Sequence, residues 1–496
     1  LTHPNRLGIR VTLEPLDRDV ALPLHHTVDA NVTHRRSEGD PRVGSNAMPP
    51  LEPIASEQHD DGRRILHHRI QGSGIGVTVG TDLRTPVAGA TIQLPVDAEA
   101  KGMRATAMLH ANLAKGDAHP IDVHGVYLDT RDHAQDTLVD RATSELDAYD
   151  RDGGIDHLLT SQRAHLDAFW NQADVEIEGD PAATQSVRFA LFHLHQAASR
   201  DAKANLPAKA LSGEGYEGHT FWDSEIYLVP TLIHTAPHLA RALLDHRIDM
   251  LDAARARARE LGHAGALYPW RTIDGREASA YFPAGTAQIH IDADVVHALA
   301  RYHEATDDTD ILWKGGATVA SEVARFYLSV GHHGRDGAFH LHTVTGPDEY
   351  TALVEDNHYT NRMAQFALRY AANLAERLER DDPARWSNLQ RDLGLQTSEM
   401  DAWRTAADAM HLPTDPDLHV TPQDASFLGK PEWPWDDVPE DRYPLLLHVH
   451  PLDIYRHQVL KQADVLLAHH LLPDGVTRSQ LRRDHAYYAP RTTHDS

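Results

Sequence analysis

Apolar and polar positions alternate with a period of two through the first part of the chain, up to about residue 130. Ile9, Val11 and Leu13 are interleaved with Arg10 and Thr12, and Ile75, Val77 and Val79 with Gly76, Thr78 and Gly80. Ile92, Leu94 and Val96 repeat the pattern. Short runs of this kind between Gly, Pro and Asp turns predict strands with one face on a core, and several together predict an antiparallel sandwich. Gly72-Ser73-Gly74-Ile75-Gly76 lacks the spacing of a nucleotide-binding loop, and no helical pattern follows it, so it reads as a turn.

From about residue 136 the period becomes helical. Two helical stretches surround Asp152-Gly153-Gly154, the second over 158–170, and read as a linker. A short strand-like piece is expected at 175–180, and beyond it the chain is nearly all helix and long loop. Over 237–261, Leu244, Ile248, Leu251, Ala254, Ala258 and Leu261 recur at steps of three and four. Pro237 near the start of that segment and Gly262 after it fit helix punctuation. A second such helix is expected over 361–378, with Met363, Phe366, Tyr370, Leu374 and Leu378 on one side. No strand–helix alternation supports a parallel-sheet fold. Several helices with functional loops gathered at one end predict an α/α barrel.

Composition narrows the classes. The chain has 496 residues, so two or three domains are expected. Its 47 basic and 73 acidic residues give a net charge of −26, which argues against nucleic acid and anionic membrane as partners. It has no cysteine, hence no disulfide, thiolate metal site or Cys nucleophile. No apolar run approaches the ~20 residues of a membrane helix, and no signal-peptide pattern is visible; the expected compartment is the cytoplasm. Among 37 histidines, the pairs His193/His195, His340/His342 and His448/His450 stand out. They have no His-Glu-x-x-His motif and no evident carboxylate frame, so no metal is expected.

Four blocks carry candidate chemistry. Gly346-Pro347-Asp348-Glu349-Tyr350 puts two carboxylates in a Gly-Pro turn, and a loop acid on a rigid scaffold suits general acid catalysis. Upstream lies the Gly-rich block Leu211 to Glu225, which contains Trp222-Asp223. An aromatic ring to cover a sugar face, with acids to accept its hydroxyls, suits carbohydrate. A third block runs over 265–283 and includes Trp270 and Arg276-Glu277-Ala278-Ser279-Ala280-Tyr281. The fourth contains Lys461-Gln462, where Lys461 is one of only seven lysines, and is followed by the run from Tyr487 to Ser496.

These four colinear blocks resemble glycoside hydrolase family 65, the inverting α-glucosyl disaccharide phosphorylases of the maltose, trehalose, kojibiose and nigerose type, with a few related hydrolases. The resemblance implies an N-terminal antiparallel β-sandwich over 1–133, a helical linker over 134–174 and an (α/α)6-barrel catalytic domain over 175–496. It further implies that Glu349 is the general acid and that Trp222, Asp223, Lys461 and Gln462 hold the non-reducing glucose. His494 and Ser496 match the opening of the family's phosphate loop, His-x-Ser-Ser-Leu-Ser. The chain stops at the first of those serines and begins some way into the sandwich, so a fragment is expected, incomplete at both ends. The implied substrates are a disaccharide and inorganic phosphate, with no cofactor, and the implied assembly is a homodimer. The 270–283 block, which shapes the acceptor-sugar site, looks most like that of trehalose-type members. Maltose and kojibiose follow as substrates. Two other readings stay open. One is a hydrolase, with a second carboxylate drawn from Asp453, Asp464, Asp484 or Asp495. The other is a non-catalytic sugar-binding homologue.

Overall fold

The structure, a computed structural model, describes residues 4–33, 50–59, 62–93, 102–211, 215–279 and 285–493. Leu94, Val96, residues 212–214 and 280–284, and 494–496 lie outside the described residues. The chain divides into two compact units with the boundary between Arg188 and Phe189.

Among the described residues the first unit is built on eight strands: β1 (Arg6–Leu13), β2 (Val20–Asp29), β3 (Leu51–Gln58), β4 (Arg64–Ile70), β5 (Gly76–Arg84), β6 (Thr91–Gln93), β7 (Arg104–Leu113) and β8 (His119–Asp129). They form a five-stranded sheet in the order β1-β8-β5-β4-β3 and a three-stranded sheet in the order β2-β7-β6, with antiparallel pairing throughout. The alternation is clearest in β7, where Ala105, Ala107, Leu109, Ala111 and Leu113 are buried. They pack with Leu83 and Ile121 of the larger sheet, which makes the unit a sandwich. The glycine run 72–76 is the β4–β5 hairpin turn, with Gly72 and Gly74 at positive φ.

Two strands depart from the pattern reading. In β5 the fully buried positions include Gly76, Thr78 and Gly80, while Val77 and Val79 are only half-buried. The reason is a helix on that face. α1 (Leu138–Arg151) lays Leu138, Ala142 and Leu146 against Ile65, Val126 and Leu128. A Cβ on Gly80 would stand 3.3 Å from Leu146 and 3.4 Å from Ala142. Residues 138–151 thus complete a core of this unit. In β1, Ile9 and Val11 remain 46% exposed. The polar positions make the tertiary contacts instead: Arg6 pairs with Glu145 and Asp152, and Arg10 with Asp122 and Asp156.

α2 (Gly154–Ala173) follows, and the expected strand at 175–180 is absent; that stretch is extended loop and turn leading into α3 (Pro181–Ala197). The second unit continues as α4 (Val229–Thr235), α5 (Pro237–Asp249), α6 (Leu251–Glu260), α7 (Ile291–Thr306), α8 (Ala317–Val330), α9 (His358–Asp381), α10 (Pro383–Leu393), α11 (Thr397–Asp408), α12 (Pro451–Ile454), α13 (Asp464–Leu471) and α14 (Arg478–Tyr488). The single helix expected over 237–261 is two, parted at Met250; Leu261, on its supposed apolar stripe, is 44% exposed. The helix expected over 361–378 extends to 358–381 and keeps Met363, Leu374 and Leu378 buried.

These helices form an α/α barrel. α4 packs on α7, α7 on α9 and α9 on α13, giving an inner layer. Around it, α5 lies against α4 and α7, α8 against α7 and α9, α11 against α8 and α9, and α14 against α13. α7 has almost no exposed face from Ile291 to His303, as an inner helix must. The loops before α4, α7, α9 and α13 therefore gather at the N-terminal ends of the inner helices. No helix among the described residues is long and apolar enough to cross a membrane.

The loop to α7 begins as an extended run pressed on its neighbours. Ala266 N–H donates to Glu322 O, Leu267 N–H to Ala254 O and Tyr268 N–H to Asp292 Oδ1. Gly265 permits the approach: it has φ +78°, and a Cβ there would lie 2.1 Å from Glu322 O. Gly265→Ala is expected to destabilise the barrel by about 2 kcal/mol or more, from the left-handed backbone and the overlap together. A denaturant titration followed by far-UV circular dichroism measures it, and an unchanged midpoint would remove this account of the approach.

Candidate active site

A cavity of about 270 Å³ lies where those loops meet. That is just below the range of about 300–1,000 Å³ for small-ligand sites. Its wall includes Trp222 and Asp223 ahead of α4, Trp270 and Gln288 ahead of α7, Glu349 ahead of α9, and Lys461 and Gln462 ahead of α13. Five residues singled out from sequence, Trp222, Asp223, Glu349, Lys461 and Gln462, thus face one space although 240 positions separate the first from the last. His494 and Ser496 lie outside the described residues.

Glu349 accepts a hydrogen bond from Lys461 Nζ at 2.6 Å on Oε2, and both side chains are about one-fifth exposed. The pair is held from behind by Asp348, which is fully buried. Asp348 Oδ1 accepts the backbone N–H of Lys461 at 2.8 Å, of Tyr350 at 3.3 Å and of Gln462 at 3.4 Å, and Oδ2 accepts Gln423 Nε2 at 3.0 Å. Burial pushes its carboxyl up, to about 7, against the pull of those N–H groups. Its own N–H donates to Asp464 Oδ1 at 2.8 Å, and Gln462 Nε2 donates to Pro347 O at 2.6 Å. Gly346 is required by proximity: a Cβ would come within 2.3 Å of both Asn357 Nδ2 and Asp464 Oδ2. Tyr350 closes the loop by entering the core of Trp433, Leu445, Leu446, Ile454 and Val459.

Part of the wall is aromatic. Trp222 meets His290, Tyr227 and Tyr359 edge-on, and Phe221 meets Tyr216 and Trp270 in the same way. Beneath Trp222, His290 Nε2 lies 2.8 Å from Gln288 Oε1 and Nδ1 lies 2.7 Å from Asp294 Oδ2, while Tyr359 O–H donates to Asp294 Oδ1 at 2.8 Å. Asp223 is reachable from the cavity, yet desolvation raises its carboxyl, with the charges of Glu349 and Asp294 adding and Lys461 opposing. Trp270 Nε1 is a buried donor with no partner among the described residues.

Two acids of the Gly-rich block do other work than the sequence suggested. Glu225 is fully buried and forms a two-point pair with Arg247, Nε to Oε1 at 2.8 Å and Nη2 to Oε2 at 3.0 Å. Arg247 Nη2 also donates to Phe221 O at 3.4 Å, so the pair fixes the backbone just ahead of Trp222. Glu217 lies 3.8 Å from buried Arg271. In the 270–283 block, Glu277 accepts the N–H groups of Trp270, Arg271 and Ser279 and braces its own loop. Tyr216, inside the Gly-rich block but given no role there, lines the cavity, as do Lys209 and Gln288, which escaped the sequence reading. The scarcity that marked Lys461 applied equally to Lys209.

Comparison with known proteins fits this architecture. The family profile described as "Glycosyl hydrolase family 65 central catalytic domain" matches residues 188–496, and that described as "Glycosyl hydrolase family 65, N-terminal domain" matches 1–169. An α,α-trehalose phosphorylase of Thermoanaerobacter brockii is 41% identical over all of this chain and 64% of its own length. Another, from Geobacillus stearothermophilus, is 51% identical over 68% of this chain and 44% of its own. A solved structure titled "Putative kojibiose phosphorylase from human microbiome" superposes with a TM-score of 0.85 over 99% of this chain and 63% of its own, at 23% identity, which speaks to fold alone. The profile matches cover most of the chain, so it belongs to glycosyl hydrolase family 65. It spans less than two thirds of the length of these relatives.

The buried pair sets a test. Glu225→Ala strands the Arg247 guanidinium in the core and is expected to destabilise by about 3–5 kcal/mol. Glu225→Ala combined with Arg247→Met removes the stranded charge and should recover a good part of that loss. Urea unfolding of the two variants decides the matter; a double variant no more stable than the single one would contradict it.

Proposed function

We propose that this protein carries out phosphorolysis of an α-glucosyl disaccharide with inversion, giving β-glucose 1-phosphate and free glucose. The observation that carries this is the charge inventory of the cavity. Among the described residues its lining carboxylates are Glu349 and Asp223, beside two ammonium groups, Lys209 and Lys461. An inverting hydrolase needs a second carboxylate to activate water, about 6.5–9.5 Å from the acid. The Asp residues considered for that role lie elsewhere. Asp464 is buried under Asp348 N–H and Asn357 Nδ2. Asp484 is taken up by Thr421, His469 and Gln480. Asp453 is exposed outside the cavity, and Asp495 is not among the described residues. Asp223, the other lining carboxylate, is assigned to a sugar hydroxyl, the role its match to the family's Trp-Asp pair implies. A nucleophile that arrives already anionic needs no base, and phosphate meets that need.

In this reading Asp223, Lys461 and Gln462 pair the hydroxyls of the non-reducing glucose, and Trp222 shapes the wall behind it. Buried hydroxyls left unpaired would cost about 1–3 kcal/mol each. Sugar hydroxyls draw Lys461 off Glu349, whose carboxylate takes up a proton from solvent and passes it to the glycosidic oxygen as the bond to C1 breaks. A phosphate oxygen forms the new bond to C1 from the opposite face. The chain leading to His494 supports the siting of that anion. Leu460 N–H donates to Arg491 O at 2.9 Å, and Thr493 N–H to Leu460 O at 2.8 Å, one residue from Lys461. His494 and Ser496, matched to the opening of the family's phosphate loop, are the residues proposed to bind the phosphate. The first disaccharide to try is α,α-trehalose, because the two relatives above carry that name and the 270–283 block favours it; maltose and kojibiose follow.

Glu349→Gln is expected to leave the fold intact and lower turnover on the disaccharide by about 10²–10⁴-fold. It should spare much of the activity on glucosyl fluoride, whose leaving group needs little protonation. Product analysis by proton NMR, with and without phosphate, tests the rest. Glucose release indifferent to phosphate would establish the hydrolase reading instead, and near-normal turnover in Glu349→Gln would end the acid assignment.

A further inference from the structure

His340 was set aside on sequence because no carboxylate frame accompanied it; the fold supplies one. Asp336, His340 and His411 each present a donor atom, and the three atoms lie within 4.8 Å of one another. His340 Nε2 stands 3.1 Å from Asp336 Oδ1 and 3.3 Å from Oδ2. Two ligands on a tetrahedral ion with bonds of about 2.0–2.2 Å are separated by about 3.3 Å. The spacing therefore admits an ion between nitrogen and carboxylate with little movement. The other nitrogen, Nδ1, lies 2.7 Å from Asp356 Oδ2. That leaves Nε2 as the ligating atom and gives the imidazole the carboxylate support typical of metal-binding histidines. Asp356 is itself fixed, because its Oδ1 accepts Leu341 N–H at 3.2 Å and Asn361 Nδ2 at 3.0 Å. The His411 ring lies 4.6 Å from that of His340, tilted by 31°.

A second observation comes from the backbone. A Cβ on Gly334 would fall 2.7 Å from Asp336 Oδ1 and 2.8 Å from His340 Nε2. Glycine at 334 lets the backbone close on both donor atoms and so holds them side by side. All these groups lie in the second unit, and none of them lines the cavity that holds Glu349.

We infer that Asp336, His340 and His411 form a binding site for a divalent transition-metal ion, zinc by its two imidazoles and one carboxylate, with Asp356 orienting His340. Water completes the coordination. The site has a structural consequence. His340 and Asp356 stand at the two ends of the loop that carries Glu349, and they are already bonded to each other. An ion on His340 fastens the base of that loop without touching the cavity.

The test uses the full chain, stripped with EDTA and then dialysed against zinc. Metal content is measured by mass spectrometry and affinity by competition with a chromophoric chelator. Wild type should retain one tight equivalent that His340→Ala loses. Asp356→Asn should weaken the affinity by about 10–100-fold, as loss of an outer-shell partner does. His263→Ala, at a histidine outside the cluster, should keep the full equivalent and so controls for scattered histidine binding. Because His340→Ala also breaks the tie to Asp356, cobalt(II) added to unaltered wild type gives an independent measurement. A tetrahedral visible absorption band at one equivalent is expected. No retained zinc, the same retention in His340→Ala, or no tetrahedral cobalt band would each overturn the site and leave an Asp–His–Asp ion pair.

Discussion

The buried carboxylate of Asp348 is the constraint on which the candidate site depends. It is fully enclosed and collects three backbone N–H groups and one side-chain amide. A carboxylate in that position without partners would cost several kcal/mol. The loop before α9 and the loop before α13 must therefore stay together for either to be tolerable. The outcome is that Glu349 and Lys461, more than a hundred positions apart, meet at 2.6 Å. The neighbour that never reaches the cavity fixes the one that does.

The same device recurs under the aromatic wall. Glu225 and Arg247 neutralise each other in the core and anchor the backbone ahead of Trp222, while the chain Gln288–His290–Asp294–Tyr359 packs beneath its ring. Buried charged pairs contribute little net stability, since desolvation offsets their attraction. What they supply is position. A sugar ring is distinguished by the directions of its hydroxyls, so a site for it needs walls that do not shift. An inner ring of buried helices with polar ties at their N-terminal ends provides such walls.

Pattern reading served well where one face of an element meets a core and the other meets water. β7 and the helix at 358–381 follow their periodicity closely. It failed where both faces are covered or neither is. Gly76, Thr78 and Gly80 are buried in β5 because α1 comes down on them. Ile9 and Val11 of β1 stay accessible although they alternate as a buried face should. The helix expected over 237–261 is divided at Met250, which no Gly or Pro signals.

By itself, the sequence determined the sandwich, the barrel and the blocks that carry unusual side chains. Those properties rest on local periodicity and on residues whose chemistry is conspicuous in any setting, such as Trp222-Asp223, the Gly346–Tyr350 turn and the scarce Lys461. Only the tertiary structure decided which acids face the cavity and which are enclosed. Asp348 and Glu349 are adjacent and chemically alike, yet one is buried to hold two loops and the other is left open. Glu225 could as well have faced a ligand until Arg247 from the next helix claimed it. Gln288 joined the wall without any local mark, and His340 gained its carboxylates from both sides along the chain. Burial and pairing are set by what distant segments bring to the same place, and no local pattern encodes that.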